Sequence, residues 1–130
     1  MTRRARVVVV GGGPAGAASA WGLASLGHDV LVVDKARFPR DKACAEYLSP
    51  EASRILEAMG VLGEVEAAGA AQLAGMTVRA PNGGTFHGEF VARHGFRGFR
   101  DRGLALRRRR LDPILLDGAR RAGADVQEGV

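Results

Sequence analysis

Apolar and polar positions alternate in blocks along this chain, and each block predicts an element. Val7 to Val10 is an unbroken β-branched run, which predicts a strand over 6–11, buried on both faces of a parallel sheet. Small and apolar residues from Pro14 to Leu26 predict a helix closed by Gly27. A second apolar strand, over 29–34, runs through Val30 to Val33 and ends in Asp34. Lys35 to Leu48 is polar and broken by Pro39, so it reads as a loop. Ser49, Pro50 and Glu51 suit a helix start, Ile55, Leu56 and Met59 form its apolar stripe, and Gly60 ends it. Val61 to Ala68 predicts a second short helix.

Beyond it the period changes. Met76 to Ala80 alternates, Pro81-Asn82-Gly83-Gly84 is a turn signal, and Thr85 to Phe90 returns, so a hairpin is expected near 74–90. Gly95 to Arg102 reads as loop, and Gly103 to Leu106 as strand. Leu111 to Ala122 is an amphipathic helix with Leu111, Leu115 and Ala119 on one face, Ile114 and Leu116 beside them, and Pro113 in the first turn. Ala124 to Gln127 begins another parallel strand, over 124–128. The fold class is α/β, a three-layer arrangement interrupted by an inserted hairpin.

Gly11, Gly13 and Gly16 stand at G-x-G-x-x-G spacing between the first strand and the first helix, and Asp34 follows Gly16 by eighteen residues. Strand, helix, strand and acid are in register, which is the context this motif needs to signal dinucleotide binding. Gly11 allows the tight turn. Gly13 lets a pyrophosphate approach the backbone, and Gly16 lets the helix pack on the sheet. The helix N-terminus offers free N–H groups and a partial positive charge to phosphates. A carboxylate at Asp34 can accept hydrogen bonds from ribose hydroxyls. It favours a free diol over a 2′-phosphate, although Lys35 and Arg37 could offset that repulsion.

Val7 to Gly27 carries no charge and follows Arg3, Arg4 and Arg6, superficially like a signal peptide or a membrane span. Gly11-Gly12-Gly13-Pro14 would break such a helix in its middle, so no transmembrane segment is expected. The single Cys cannot form an internal disulfide, and a cytoplasmic location follows. The formal charge is +5, almost all of the bases being Arg, with only Lys35 and Lys42 as Lys. No aromatic-lined basic face or motif accompanies them, so nucleic acid is not an expected partner. Lys35, Arg37, Arg40 and Lys42 leave the ligand-binding edge of the sheet, where they could meet phosphates or simply be solvated. His87 and His94 have no metal-ligand spacing to Cys44 or to an acid, so they read as surface residues and no metal is expected.

The G-G-G-P-A-G loop, the acid, F-P-R-D-K-A-C-A-E-Y-L-S-P-E-A, A-M-G and finally L-R-R-R-R-L-D-P-I-L-L-D-G-A-R-R-A-G-A-D-V together cover essentially the whole chain. They resemble the amino terminus of FAD-dependent oxidoreductases, nearest to geranylgeranyl reductase-like flavoproteins and the related aromatic-hydroxylase-type monooxygenases and halogenases. The resemblance implies a Rossmann-like FAD/NAD(P)-binding fold. It implies that Gly11, Gly13 and Gly16 hold the ADP pyrophosphate, with Pro14 and Ala15 opening the helix beside it, and that Asp34 holds the adenosine ribose. Lys35 would line the adenine side, and Arg108 would contact the cofactor beside that ribose and phosphate. Lys42 and Cys44 match the reductase-like K-x-C near pyrophosphate and flavin, with Ala45 next to them; Cys44 as a plain packed thiol is the competing reading. Ala45-Glu46 departs from the usual Gly-Gly or Gly-Glu. Asp-Gly and Gly-Asp motifs of the family would lie beyond Val130, so no catalytic acid or base can be named.

The expected reading is the N-terminal portion of an FAD-binding domain, residues 1–130, with 72–100 as a hairpin insertion leading toward a substrate domain. The parent would be an FAD-dependent oxidoreductase, reductase or monooxygenase, using NAD(P)H as reductant on a small-molecule substrate, a hydrophobic one among the options. The fragment alone would be inactive. Two alternatives stand beside it: the nucleotide-binding domain of an NAD-dependent dehydrogenase, and a non-catalytic truncated nucleotide-binding fold.

Overall fold

The computed structural model describes residues 6–92, 95 and 97–130. In chain order the elements are β1 (Val7–Val10), α1 (Pro14–Ser25), β2 (Val30–Asp34), β3 (Tyr47–Leu48), α2 (Ala52–Ala58) and α3 (Leu62–Ala67). They continue with β4 (Ala71–Leu73), β5 (Gly75–Arg79), β6 (Thr85–Glu89), β7 (Gly103–Ala105), α4 (Arg108–Arg121) and β8 (Asp125–Glu128).

The main sheet is parallel, in the order β1-β2-β8, with Val9 beside Val32 and Val32 beside Val126. The valine runs form these strands because β-branched side chains suit a pleated, covered surface. Helices α1 and α4 pack on one face of it. Ala17, Ala20 and Ala24 of α1 are buried against Leu111, Leu115, Leu116 and Ala119 of α4, above Val30 and Val32. Alanine at these positions lets the two helices approach closely and share one core. Leu56, Met59, Val61 and Val65, from α2, α3 and the turn between them, extend it.

The opposite sheet face departs from the expectation of a strand buried on both sides. Val8, Val10, Leu31 and Val33 contribute nothing to that core, and Val8 and Val10 are 53% and 85% exposed. Among the described residues, helices cover this sheet from one side only.

A second, antiparallel sheet in the order β3-β7-β4 ties the long loop after β2 to the segment before α4. β5 and β6 pair as an antiparallel hairpin, Gly75 beside Glu89 and Arg79 beside Thr85. His87 is exposed on β6, its Nδ1 within 2.8 Å of Thr77 Oγ1, while His94 lies outside the described residues.

Two helix starts differ in detail from the sequence reading. Ser49 Oγ does accept from the Ala52 amide at 3.1 Å, but regular helix begins only at Ala52, and Ile55 is left 47% exposed. Helix α4 begins at Arg108, so Pro113 stands in its second turn rather than its first. Proline has no N–H to give, and the Arg109 carbonyl goes without an intrahelical donor there.

Candidate cofactor site at the glycine-rich loop

The chain leaves β1 through Gly11, whose φ of +107° is a conformation side-chain-bearing residues rarely adopt. Its amide donates to the Val33 carbonyl at 2.8 Å, so the loop is pinned to the tip of β2. A Cβ at Gly16 would stand 1.8 Å from the Gly11 carbonyl oxygen, so only glycine lets α1 start this close to the strand. Pro14 occupies the first turn of α1, where its missing N–H costs nothing. The N-cap, Gly13, has no side chain to cap the helix, so the first-turn amides of Ala15 and Gly16 face outward over an open backbone.

Asp34 ends β2 beneath this loop. Its Oδ2 accepts from the Gly12 amide at 2.7 Å, and its Oδ1 from the Ala36 amide at 2.8 Å. Burial is the largest single influence and pushes its pKa up. The Ala36 and Gly12 amides, with the charges of Arg40 and Lys35, outweigh it and hold the carboxyl below its usual value. Asp34 is therefore ionised at neutral pH, with lone pairs beyond these two bonds for further donors.

The loop after β2 is tied down at several points. The Phe38 amide donates to Glu128 Oε2 at 3.1 Å, and the Gly129 amide to the Ala36 carbonyl at 3.2 Å. Of its four bases, Lys35, Arg37 and Lys42 are exposed, whereas Arg40 turns inward. The Arg40 guanidinium stacks on the Phe38 ring at 4.6 Å, and its Nη1 lies 2.9 Å from Asp112 Oδ2. That approach is an ion pair without hydrogen-bond alignment, and the buried Nη1 lacks an acceptor.

Asp112, on α4, is fully buried. Arg108, one turn before it, grips it with one edge of its guanidinium, Nε donating to Oδ1 at 2.6 Å and Nη2 to Oδ2 at 2.9 Å. A Cβ at Gly13 would meet Arg108 Nη2 at 3.2 Å and Arg40 Nη2 at 3.8 Å. Two guanidiniums thus converge on the bare backbone that begins α1.

Cys44 is exposed at the far end of the same loop. The Glu46 amide, 3.4 Å from its Sγ, and then a hydrogen bond from Arg108 hold the thiol below its usual pKa. Arg108 is in turn raised, chiefly by Asp112 and further by Cys44. Ala45 is exposed next to it, and Glu46 takes φ of +60° while its carbonyl accepts from the Leu106 amide at 3.2 Å. That backbone shape is the one a glycine adopts freely, so Glu46 is strained there.

The sequence-predicted residues Gly11, Gly13, Pro14, Ala15, Gly16, Asp34, Cys44 and Arg108 therefore gather around one loop. Lys35 points to solvent, though its charge still reaches Asp34. The sequence reading named Arg40 only within a group of bases that could meet phosphates, and it missed Asp112. Arg40 was one of four equivalent-looking bases, and Asp112 was visible only as the acid in an R-x-x-L-D run. Among the described residues no three His, Cys, Asp or Glu side chains cluster as a metal would need.

These features fit the ADP half of a dinucleotide: an open helix N-terminus, the Nη2 atoms of Arg108 and Arg40 beside its bare backbone, and an ionised acid at the strand tip. The sequence model of the family described as "FAD binding domain" matches residues 4–130. The chain belongs to this FAD-binding family. Menaquinone reductase of Mycolicibacterium smegmatis is 56% identical over 61 residues, which are 47% of this chain and 15% of that protein. Digeranylgeranylglycerophospholipid reductase 1 of Methanopyrus kandleri is 36% identical over 122 residues, 93% of this chain and 28% of that protein. Among solved structures, a flavoprotein/dehydrogenase from Cytophaga hutchinsonii superposes with a TM-score of 0.81 at 31% identity, over 96% of this chain and 30% of that one. The myxobacterial halogenase CndH, named as FAD-dependent, gives 0.80 at 30% identity, over 95% of this chain and 28% of that one. The chain therefore spans less than a third of the length of these relatives. It is an FAD-binding segment of the kind found in flavin-dependent oxidoreductases and monooxygenases.

Proposed function

We propose that Gly11 to Asp34 hold the ADP half of FAD in a larger flavin-dependent oxidoreductase that takes its electrons from NAD(P)H. The observation that carries this reading is the convergence of the Gly13 backbone, Arg40 and Arg108 beside an ionised Asp34. Bound FAD would supply the hydride chemistry, and the chain's own residues bind and orient it. Gly11, Gly13 and Gly16 leave the backbone bare for the pyrophosphate, with Pro14 and Ala15 beginning the helix that faces it. Asp34 accepts from the adenosine ribose, Lys35 borders the adenine side, and Arg108 faces the phosphates. Cys44 and Ala45 border the flavin end.

Reduction is favoured over oxygen insertion, because both curated relatives just described are named as reductases. Both names also denote lipid substrates, so a hydrophobic, membrane-derived small molecule is the substrate class we assign. The hairpin region, 72–100, would lead toward the layer that meets it. Among the described residues no helix is long and apolar enough to cross a membrane. A cytoplasmic location goes with the reading, the lone Cys44 having no internal disulfide partner.

The test is the full-length protein purified without added cofactor. It should be yellow, release FAD on denaturation, and bleach anaerobically on addition of NADPH or NADH. A colourless protein that binds NAD in place of FAD would overturn the assignment.

A further inference from the structure

We propose that Asp112 is a positioning residue that aims two guanidiniums, Arg40 and Arg108, at Gly13, making Arg40 a second direct contact for a diphosphate there. The inference rests on the reading of this loop as an FAD site.

A fully buried carboxylate is costly unless charged or hydrogen-bonding partners surround it. Asp112 has both, from Arg108 through two hydrogen bonds and from Arg40 through an ion pair at 2.9 Å. The two arginine side chains are themselves only 13% and 17% exposed. One carboxylate cannot neutralise two guanidiniums, so the cluster keeps a surplus positive charge. Asp34 feels Arg40 electrostatically, but both its oxygens are engaged by the Gly12 and Ala36 amides.

The surplus has a direction. Both Nη2 atoms lie within 3.8 Å of the point a Gly13 side chain would occupy, in front of the uncapped start of a 12-residue helix. Arg40 turns Nη1 to Asp112 and so leaves Nη2 on the side of Gly13, where the helix already favours an anion. Arginine suits the task because its planar fork can face a carboxylate with one part and a phosphate with another. The Phe38 ring, 4.6 Å from the Arg40 guanidinium, holds the plane of that fork. A dianionic diphosphate over Gly13 would meet two aimed guanidiniums rather than one.

The experiment measures FAD, ADP and adenosine affinities on the full-length protein stripped of flavin, at several salt concentrations. Arg40→Gln should weaken FAD and ADP at least about tenfold, flatten their salt dependence, and leave adenosine within about twofold. Arg40→Lys, which keeps the charge and loses the fork, should fall between. Asp112→Asn should show the same ADP-selective loss. If Asp112→Asn does not fold, Asp112→Glu, which keeps the charge and shifts it by one methylene, is read in its place. Loss of packing alone would weaken ADP and adenosine together. An unchanged ADP-to-adenosine ratio in Arg40→Gln, or in the folded Asp112 variant, overturns the inference while leaving the FAD reading intact. A wild type that binds neither FAD nor ADP overturns both.

Discussion

The Gly12 amide donates to Asp34 Oδ2 at 2.7 Å, so the acid at the tip of β2, proposed above to accept from a ribose, also shapes the glycine-rich loop. Removing it acts twice. Asp34→Ala loses charge-assisted bonds worth roughly 1.5–3 kcal/mol each before water compensates. FAD affinity of the full-length protein should fall at least about tenfold, about 1.4 kcal/mol. Asp34→Asn should do no better, because its NH2 cannot accept from the second of the two amides. The NADPH Michaelis constant at saturating FAD should barely move. A variant with normal FAD affinity and weakened NADPH would place the nicotinamide nucleotide, not FAD, at this loop.

The same carboxyl gives a pH signature. Its pKa is lowered in the folded protein, so folding favours the ionised form, and the stabilisation is present above the unfolded value of about 3.9. It fades as pH falls from there through the lowered folded value. The stability difference between wild type and Asp34→Asn should therefore be constant near neutrality and shrink below about pH 4. Urea melts of both proteins across that range check it. A difference that grew on acidification would contradict the assigned bonds.

Glycine at 16 is demanded by space and glycine at 22 is not. The Cβ of Gly16→Ala would lie 1.8 Å from the Gly11 carbonyl, so α1 must move away from β1. Overpacking of this kind costs about 1–3 kcal/mol or more, and the moved helix end should also lose FAD. At Gly22, inside α1, an added Cβ meets nothing within 4 Å. Gly22→Ala should stabilise by about 0.5–1 kcal/mol, the helix-interior cost of glycine. Denaturation midpoints of the two variants should move in opposite directions.

The contrast between these glycines also marks what a sequence can carry. β1, α1, β2 and Asp34 were legible because each is regular, long enough to show its period, and adjacent to the next. The short strands β3, β4 and β7 were not all so: β3 is 2 residues long and β4 is 3, too short for alternation to register. The start of α4 was read late because Arg108 to Arg110 carry no apolar stripe, although arginine is a good helix former. Arg40 could not be told from Lys35, Arg37 and Lys42, since what turns it inward is Asp112, on a helix far along the chain. The exposure of Val8 and Val10 depends on which elements cover the sheet, and a run of valines says only that something could.

Cys44 and Arg108 come from the two most specific motifs in the chain, and the fold joins them. The thiol is exposed, and its pKa is lowered by the Glu46 amide first and then by Arg108. Thiolate, not thiol, reacts with alkylating agents, so Cys44 of the flavin-stripped protein should react with iodoacetamide below the pH at which a free cysteine does. Arg108→Gln removes one cause and leaves the Glu46 amide in place. The midpoint of the rate–pH profile should rise in that variant yet stay below that of an unfolded control. Lys42→Gln, two residues away on the same exposed loop, contributes to neither cause and should leave the midpoint unmoved. Equal midpoints for wild type and Arg108→Gln would show that the guanidinium serves Asp112 alone. The loop carrying Cys44 would then be held near α4 by the Arg40–Asp112 and Arg109–Asp41 pairs, and by the bond from the Leu106 amide to the Glu46 carbonyl just before the helix.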